Sequence, residues 1–186
     1  TPEIEQQFND VLVNTEERFK EPMKDWARLL QAPIPNIRRV AVDIEVRPSV
    51  QNRMPSADDA TDPIITVAFA GSDGLRKVIM FDDKNTGEIV TEVPGATEVT
   101  QYETERQVIE ETLRIIDEYP IVLTFNGDDF DFKFLRNRAR NLGVPEANIP
   151  ITLGRRFAFL TNGVHIDLYQ FFRNRSIQGY AFGNAY

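Results

Sequence analysis

Two acidic residues, Asp43 and Glu45, interrupt an otherwise apolar segment, Val42-Asp-Ile-Glu-Val46. Residues two apart on a β-strand point to the same face, so the two carboxylates are expected side by side. Burying like charges together is costly unless a cation or hydrogen bonds offset the repulsion. Carboxylate oxygens are ligands that Mg²⁺ and Mn²⁺ prefer. The pair is therefore a candidate metal site, although Asp-x-Glu is a common tripeptide and an ordinary strand end is the alternative interpretation.

A second acidic cluster lies in Asn126-Gly-Asp-Asp-Phe-Asp-Phe132, between a short apolar strand and a helix. Loops at such junctions commonly carry function in α/β sheets. One aspartate, Asp128 or Asp129, is enough to cap the helix and complement its dipole. Three aspartates and one asparagine within six residues exceed that need, and Asp131 falls in the first helical turn.

These two segments resemble the first two exonuclease motifs of family B DNA polymerases. Val42–Val46 is similar to the first motif. Leu123–Phe132 is similar to the second, whose pattern is Asn, two or three residues, Phe or Tyr, then Asp. Val164–Tyr169 resembles the strand that follows in these enzymes, and the paired strands before it resemble their exonuclease-domain hairpin. The loop composition and the ending Ile177-Gln-Gly-Tyr-Ala-Phe182 look most like archaeal members.

The resemblance implies a ribonuclease H-like fold and a parent DNA-directed DNA polymerase with 3′→5′ proofreading activity. In this family two divalent metal ions, Mg²⁺ or Mn²⁺, clamp the scissile phosphate. By the same resemblance, Asp43 would bridge both metals and Glu45 would bind the metal that activates the attacking water. Asp131 would serve the metal at the leaving oxygen. Asn126 and Phe130 would help to hold a single-stranded 3′ end, since aromatic faces suit unpaired bases.

The sequence also departs from the family pattern, which needs a fourth carboxylate in a third motif, Tyr-x-x-x-Asp. No tyrosine of this chain is followed by aspartate four residues later. His165 and Asp167 have the wrong spacing for the related His-type site and are interpreted as a structural pair. We therefore expect a fragment with an incomplete two-metal site, weak or inactive by itself.

Two alternatives stay open at this point. The first is a stand-alone 3′→5′ nuclease in which Asp128 or Asp167 is the missing ligand. The second is a non-catalytic nucleic-acid-binding or protein-docking module of the same fold.

The elements that must position these residues follow from periodicity and from turn residues. The pattern predicts helices over 3–31, 101–118 and 128–142, a short helix over 168–175, and strands over 39–46, 64–70, 76–82, 121–125 and, as a pair, 151–168. This order predicts an α/β fold with a mixed five-stranded sheet flanked by helices and an extra β-hairpin. We expect residues 1–36 to be a helical connector from an upstream domain, and residues 37–186 to be an exonuclease domain that is incomplete at its C-terminal end.

Composition narrows the possible chemistry. The 186 residues contain no Cys and one His, which excludes disulfides, thiolate chemistry and Cys-ligated zinc. The net charge is -8, but residues 1–125 carry -11 and residues 126–186 carry +3. A local basic face allows contact with DNA phosphates despite the overall acidity. Seven arginines of the later part are candidates for such contacts, with a solvated surface role as the alternative for each: Arg136, Arg138, Arg140, Arg155, Arg156, Arg173 and Arg175.

The expected partners follow from the resemblance: a single-stranded DNA 3′ end or primer-template DNA, and the remaining polymerase domains of the same protein. No signal peptide pattern is present, and no apolar run approaches the length that crosses a bilayer, which is about 20 residues. We expect no membrane partner and a cytoplasmic, nucleoid-associated location.

Overall fold

The computed structural model of the chain describes residues 2–33, 35–82, 84, 86–87 and 89–174. The chain divides into two compact units, Thr1–Asn36 and Ile37–Tyr186. In the first unit, the single helix predicted over 3–31 is wrong, because there are two helices, α1 (Pro2–Val13) and α2 (Glu17–Gln31). Asn14 and Thr15 cause the break, since their side chains donate to carbonyls of the last turn of α1, at 2.9 Å and 2.8 Å.

In the second unit, a mixed sheet is flanked by helices, as predicted, but it contains six strands rather than five. In chain order these strands are β1 (Arg39–Val46), β2 (Ile64–Gly71), β3 (Arg76–Phe81), β4 (Glu98–Tyr102), β5 (Ile121–Thr124) and β8 (Val164–Asp167). Their order across the sheet is β4-β3-β2-β1-β5-β8. The predicted hairpin of β2 and β3 is confirmed, and β1 pairs in parallel with β5.

The additional strand, β4, occupies residues that the sequence assigned to the start of a helix. Thr100 pairs with Ile79 in a parallel ladder, so its backbone is in the sheet and it caps nothing. The capping box lies four residues later, where Thr104 and Gln107 exchange side chain–backbone hydrogen bonds of 3.3 Å and 3.0 Å. The helix α3 therefore spans Glu105–Glu118. The two possible capping positions have the same spacing, and only strand pairing distinguishes them.

The core lies between one face of the sheet and two helices, α3 and α4 (Asp131–Asn141). The face of α3 predicted to be apolar is buried, at Val108, Thr112, Ile115 and the following Tyr119. From α4, Phe132, Phe134 and Leu135 are fully buried in the same core. The core residues of β1 alternate along the strand and are Val40, Val42 and Ile44.

The segment 151–168 contains three strands rather than the predicted pair meeting at Asn162-Gly163. A separate two-stranded hairpin consists of β6 (Ile151–Leu153) and β7 (Ala158–Leu160), and it turns earlier than the sequence predicted. Its turn is closed by the Gly154 N–H, which donates to the Phe157 carbonyl at 2.8 Å. Gly163 serves close packing instead, since a Cβ there would lie 2.9 Å from the Tyr119 carbonyl oxygen.

After β8 the chain forms one short helix, α5 (Leu168–Arg173), and residues 175–186 lie outside the described residues. Within the described ranges, no helix has both the length and the apolar character needed to cross a bilayer.

Candidate active site

The two carboxylates of β1 lie on the face of the strand opposite its buried core residues. Asp43 and Glu45 are both exposed, whereas Val42 and Ile44 between and beside them are buried. Across the β1–β2 ladder their neighbours are small, with Ala68 opposite Asp43 and Thr66 opposite Glu45. Small neighbours leave both carboxylates open to solvent and to a ligand, as the period-two pattern predicts.

Asp131 approaches β1 because β5 is short. The β1–β5 ladder ends at the Ala41–Leu123 pair, so the edge of β1 beyond Ala41 is left for the start of α4. Asp131 is the first residue of that helix, and its carboxylate accepts a hydrogen bond from the Ile44 backbone N–H. Only 6% of Asp131 is exposed.

The environment of Asp131 disfavours its negative charge. Burial, followed by the nearby charge of Asp43, raises the pKa of Asp131 to about 6, although hydrogen bonds from its own backbone N–H and that of Ile44 act in the opposite direction. The fold therefore brings together carboxylates from two sequence motifs that are 88 residues apart (43 to 131). Two acidic groups that repel each other in the absence of a counter-ion are a physical sign of a cation-binding or acid–base site.

The loop between β5 and α4 carries the other predicted site residues. Asn126 has a left-handed backbone, with φ +68°. Its carbonyl accepts the Phe130 N–H at 3.0 Å, which closes the loop before the helix. Phe130 is half-buried and lies 5.6 Å from Phe134, measured between ring centroids. Gly127 is buried against Thr124, where a Cβ would collide with the threonine side chain.

Neither of the two predicted aspartate caps of α4 is realised. Phe130 occupies the N-cap position and makes no side-chain capping bond. Asp128 instead accepts the Ala158 N–H of the β6–β7 hairpin at 2.7 Å. Burial is the largest cause of a raised pKa of the Asp128 carboxyl. Asp129 is exposed.

The prediction that His165 pairs with Asp167 is wrong, because His165 lies against Asp128 instead. The imidazole Nδ1 lies 3.4 Å from an Asp128 oxygen, and the two side chains are 2% and 4% exposed. Nε2 lies 2.7 Å from the Thr124 hydroxyl, and the ring stacks on Phe132 with centroids 4.2 Å apart. Asp167 instead accepts hydrogen bonds from three backbone N–H groups, a role that its position in β8 did not indicate.

The arginines near the second motif divide into two groups. Arg138 is bound by both carboxylate oxygens of Glu105, at 2.7 Å and 2.6 Å, and Arg136 pairs with Glu146 at 2.6 Å. Both side chains are largely buried in ion pairs, so the solvated surface role is wrong for them, and their contact with DNA phosphates stays a prediction. Arg155 and Arg156 are exposed in the turn of the β6–β7 hairpin. Of the remaining candidates, Arg140 also approaches Glu146, Arg173 lies over the Tyr169 ring, and Arg175 is outside the described residues.

The donor chemistry of this site suits a hard divalent cation, because Asp43, Glu45 and Asp131 offer only carboxylate oxygens. A cation would also relieve the repulsion that raises the pKa of Asp131. Among the residues that the structure describes, however, no group of three or more His, Cys, Asp or Glu side chains is close enough to hold a metal ion. Within the described part of the chain, the carboxylates of Asp43, Glu45 and Asp131 thus do not form a closed ligand shell.

Comparison with known proteins gives a consistent result. The family model described as "DNA polymerase family B, exonuclease domain" matches residues 4–181. The chain is 40% identical over 185 residues to DNA polymerase 1 of Saccharolobus solfataricus, and the aligned region covers 99% of this chain and 20% of that protein. It is 36% identical over 167 residues to DNA polymerase 1 of Aeropyrum pernix, and the aligned region covers 90% of this chain and 17% of that protein. A DNA polymerase of Methanocaldococcus jannaschii is 31% identical over 160 residues, covering 80% of this chain. The chain spans about a fifth of the length of the first two relatives.

Proposed function

Because this chain belongs to the exonuclease domain of DNA polymerase family B, we propose that it removes mismatched 3′-terminal nucleotides from single-stranded DNA ends. In this proposal it acts as the proofreading part of a longer DNA-directed DNA polymerase. The observation that carries the proposal is the position of Asp131, the buried first residue of α4, close enough to β1 that burial and then the charge of Asp43 raise its pKa.

Three carboxylates would hold the metal ions in this proposal: Asp43, Glu45 and Asp131. Exonuclease domains of this family generally depend on divalent metals. When bound, Mg²⁺ or Mn²⁺ supplies the positive charge that activates water and stabilises the leaving oxygen of a phosphodiester. The protein contributes the ligand geometry. Asp131 is held by burial and by the Ile44 N–H, while Asp43 and Glu45 are presented by a rigid strand.

The loop residues of the second motif would orient the DNA strand. Asn126 is half-buried in the loop that precedes the buried Asp131, and the half-buried ring of Phe130 lies one residue before Asp131. An amide and an aromatic face at this place suit a sugar–phosphate backbone and an unpaired base. Of the candidates for phosphate contacts among the described residues, Arg155, Arg156 and Arg173 are exposed and form no ion pair with a carboxylate, and Arg173 lies over the Tyr169 ring.

The decisive test uses the full-length protein that contains this chain. We expect Asp43→Ala or Asp131→Ala to lower Mg²⁺-dependent removal of a mismatched 3′ nucleotide by a factor on the order of 10³. Addition of nucleotides to a matched primer is expected to be unchanged, because it would occur in another domain. The control is Asp82→Ala, which removes a carboxylate that binds the Gly87 N–H in the loop after β3. Normal removal of mismatched ends by either site variant would refute the site assignment.

A second experiment addresses the isolated 186-residue chain. Because the sequence of this chain contains no Tyr-x-x-x-Asp motif to supply a fourth carboxylate, we expect weak nuclease activity and measurable Mn²⁺ binding by calorimetry. Mn²⁺ binding that Asp43→Ala abolishes would exclude a module that only binds DNA. Rapid turnover by this chain would favour the stand-alone nuclease. That alternative gains no support from Asp128 or Asp167, whose carboxylates already accept backbone N–H groups.

A further inference from the structure

Asp167 is a buried carboxylate at the end of β8, 6% exposed, and it joins two segments of the chain. One of its oxygens accepts the Asn126 N–H at 2.7 Å and the Tyr169 N–H at 2.9 Å. The other accepts the Asp128 N–H at 3.2 Å. Both oxygens are therefore used in fixing backbone, and the side chain connects the loop between β5 and α4 with the start of α5.

The loop that Asp167 holds needs such support. Asn126 is in the left-handed region, with φ +68°, which asparagine adopts more readily than most residues but at a higher conformational cost than glycine. Two N–H groups of the loop, those of Asn126 and Asp128, point to the same side chain. Without an acceptor they would be left unsatisfied in a partly buried place, and the loop would have to move to find water.

We propose that Asp167 is a positioning residue of the active site, which acts by holding the 126–128 loop in the conformation that aims Asn126 at the DNA strand and starts α4 at Asp131. This inference rests on the proposed function. Asp167 has no direct role in the reaction, since its oxygens face backbone donors. Its effect is transmitted through five residues of chain to Asp131 and directly to Asn126.

The chemistry of the side chain makes the proposal specific. A carboxylate has two acceptor oxygens and no donor, which suits three N–H groups arriving from two directions. The isosteric amide has one acceptor oxygen, and its NH₂ group would face a backbone N–H. Asp167→Asn is therefore a disruptive change despite its equal size, whereas Asp167→Glu keeps both acceptors.

The test measures the loop directly as well as the reaction, in the full-length protein. In Asp167→Asn, we expect the backbone amides of Asn126 and Asp128 to exchange with solvent at least about tenfold faster, with amides of β2 and β3 unchanged. Single-turnover removal of a mismatched 3′ nucleotide is expected to slow by a factor of about 10 to 100. The matched control is Asp82→Asn, a carboxylate that binds the Gly87 N–H at 2.7 Å two strands away from β1.

A double-mutant cycle separates positioning from general destabilisation. Glycine adopts the left-handed backbone without steric cost, so Asn126→Gly reduces the need for the support that Asp167 gives. The factor by which Asp167→Asn slows the reaction is therefore expected to be at least about fivefold smaller in the Asn126→Gly background. Equal slowing in both backgrounds would overturn the proposal. If Asp167→Asn does not fold, Asp167→Glu and Asp167→Ala are compared instead. We expect the rate of Asp167→Glu to be closer to that of the parent, and a rate of Asp167→Ala closer to the parent would overturn the proposal.

The exchange measurement distinguishes this inference from the proposed function. If Asp167→Asn speeds exchange at Asn126 and Asp128 but the parent protein has no 3′ nuclease activity, the proposed function is refuted, and with it the positioning role. Unchanged exchange in a protein that does remove mismatched nucleotides would refute the positioning role alone.

Discussion

Removing the charge of Asp131 is expected to stabilise the metal-free chain. The pKa of this carboxyl rises from an ordinary value of 3.8 to about 6 in the folded protein, through burial and the charge of Asp43. Each pKa unit corresponds to about 1.4 kcal/mol. The ionised carboxylate therefore lowers the free energy of unfolding by about 3 kcal/mol near neutral pH, and Asp131→Asn is expected to recover most of it. The amide oxygen can still accept the hydrogen bond from the Ile44 N–H.

The sign of the pH dependence follows from proton binding. Between pH values of about 4 and 6 the folded chain binds a proton at Asp131 that the unfolded chain has already released, so stability falls as pH rises. The stabilisation by Asp131→Asn is thus expected to be about 3 kcal/mol at about pH 7.5 and only about 0.5 kcal/mol at about pH 4. An isosteric substitution that acted through packing would give the same difference at both pH values.

Urea unfolding followed by circular dichroism, in a buffer with a chelator, measures this difference directly. Asp129→Asn is the matched control, since Asp129 is exposed in the loop two residues before Asp131. We expect it to change the free energy of unfolding by less than about 0.5 kcal/mol at either pH. Replacing the chelator with excess Mn²⁺ is expected to raise the stability of the native chain and not that of Asp131→Asn. A variant that is less stable than the native chain near neutral pH would refute the reasoning.

Two further predictions concern the scaffold around the site. Arg138→Met leaves Glu105 without its bidentate partner and is expected to lower the free energy of unfolding by about 3 to 5 kcal/mol. Its control is Arg106→Met, which removes an exposed ion pair with Glu110 on α3 and is expected to lower the free energy of unfolding by less than about 0.5 kcal/mol in the same denaturation assay. Gly127→Ala places a methyl group 2.5 Å from the Thr124 Cβ and is expected to cost about 1 to 3 kcal/mol. Equal costs for the two arginine variants, or a neutral Gly127→Ala in thermal unfolding, would contradict the packing described above.

The resemblance drawn from two short motifs is confirmed at the level of the family and of the mixed sheet with flanking helices. Predictions from short sequence patterns are confirmed where the periodicity of a single strand or helix decides which way its residues face. The alternation in β1 places Asp43 and Glu45 on one face, and Asp131 begins α4 where the helix signal predicts its first turn. The assignment of these residues to metal ions, and of Asn126 and Phe130 to DNA, stays a prediction.

The local rules failed where two equivalent signals compete. The spacing of a capping box fits both Thr100 and Thr104, and pairing of β4 with β3 selects the second. Likewise, an Asn-Gly pair predicts a turn, but Gly163 is required by the closeness of the Tyr119 carbonyl, and the hairpin turns earlier, at Gly154. Such choices depend on strand pairing and on contacts between segments far apart in sequence.

By itself the sequence determined which residues carry acid, which strand and helix present them, and the family to which the chain belongs, because these depend on residue type and local periodicity. Only the tertiary structure decided the partners of buried charges. His165 lies against Asp128, Arg138 binds Glu105, and Asp167 accepts N–H groups of a loop some 40 residues earlier. A buried charge or polar group must find whatever partner the packed chain brings to it, and that partner is defined by topology rather than by spacing. The raised pKa of Asp131 has the same origin, since it arises from burial in the packed chain and, next in importance, from the charge of Asp43 on β1.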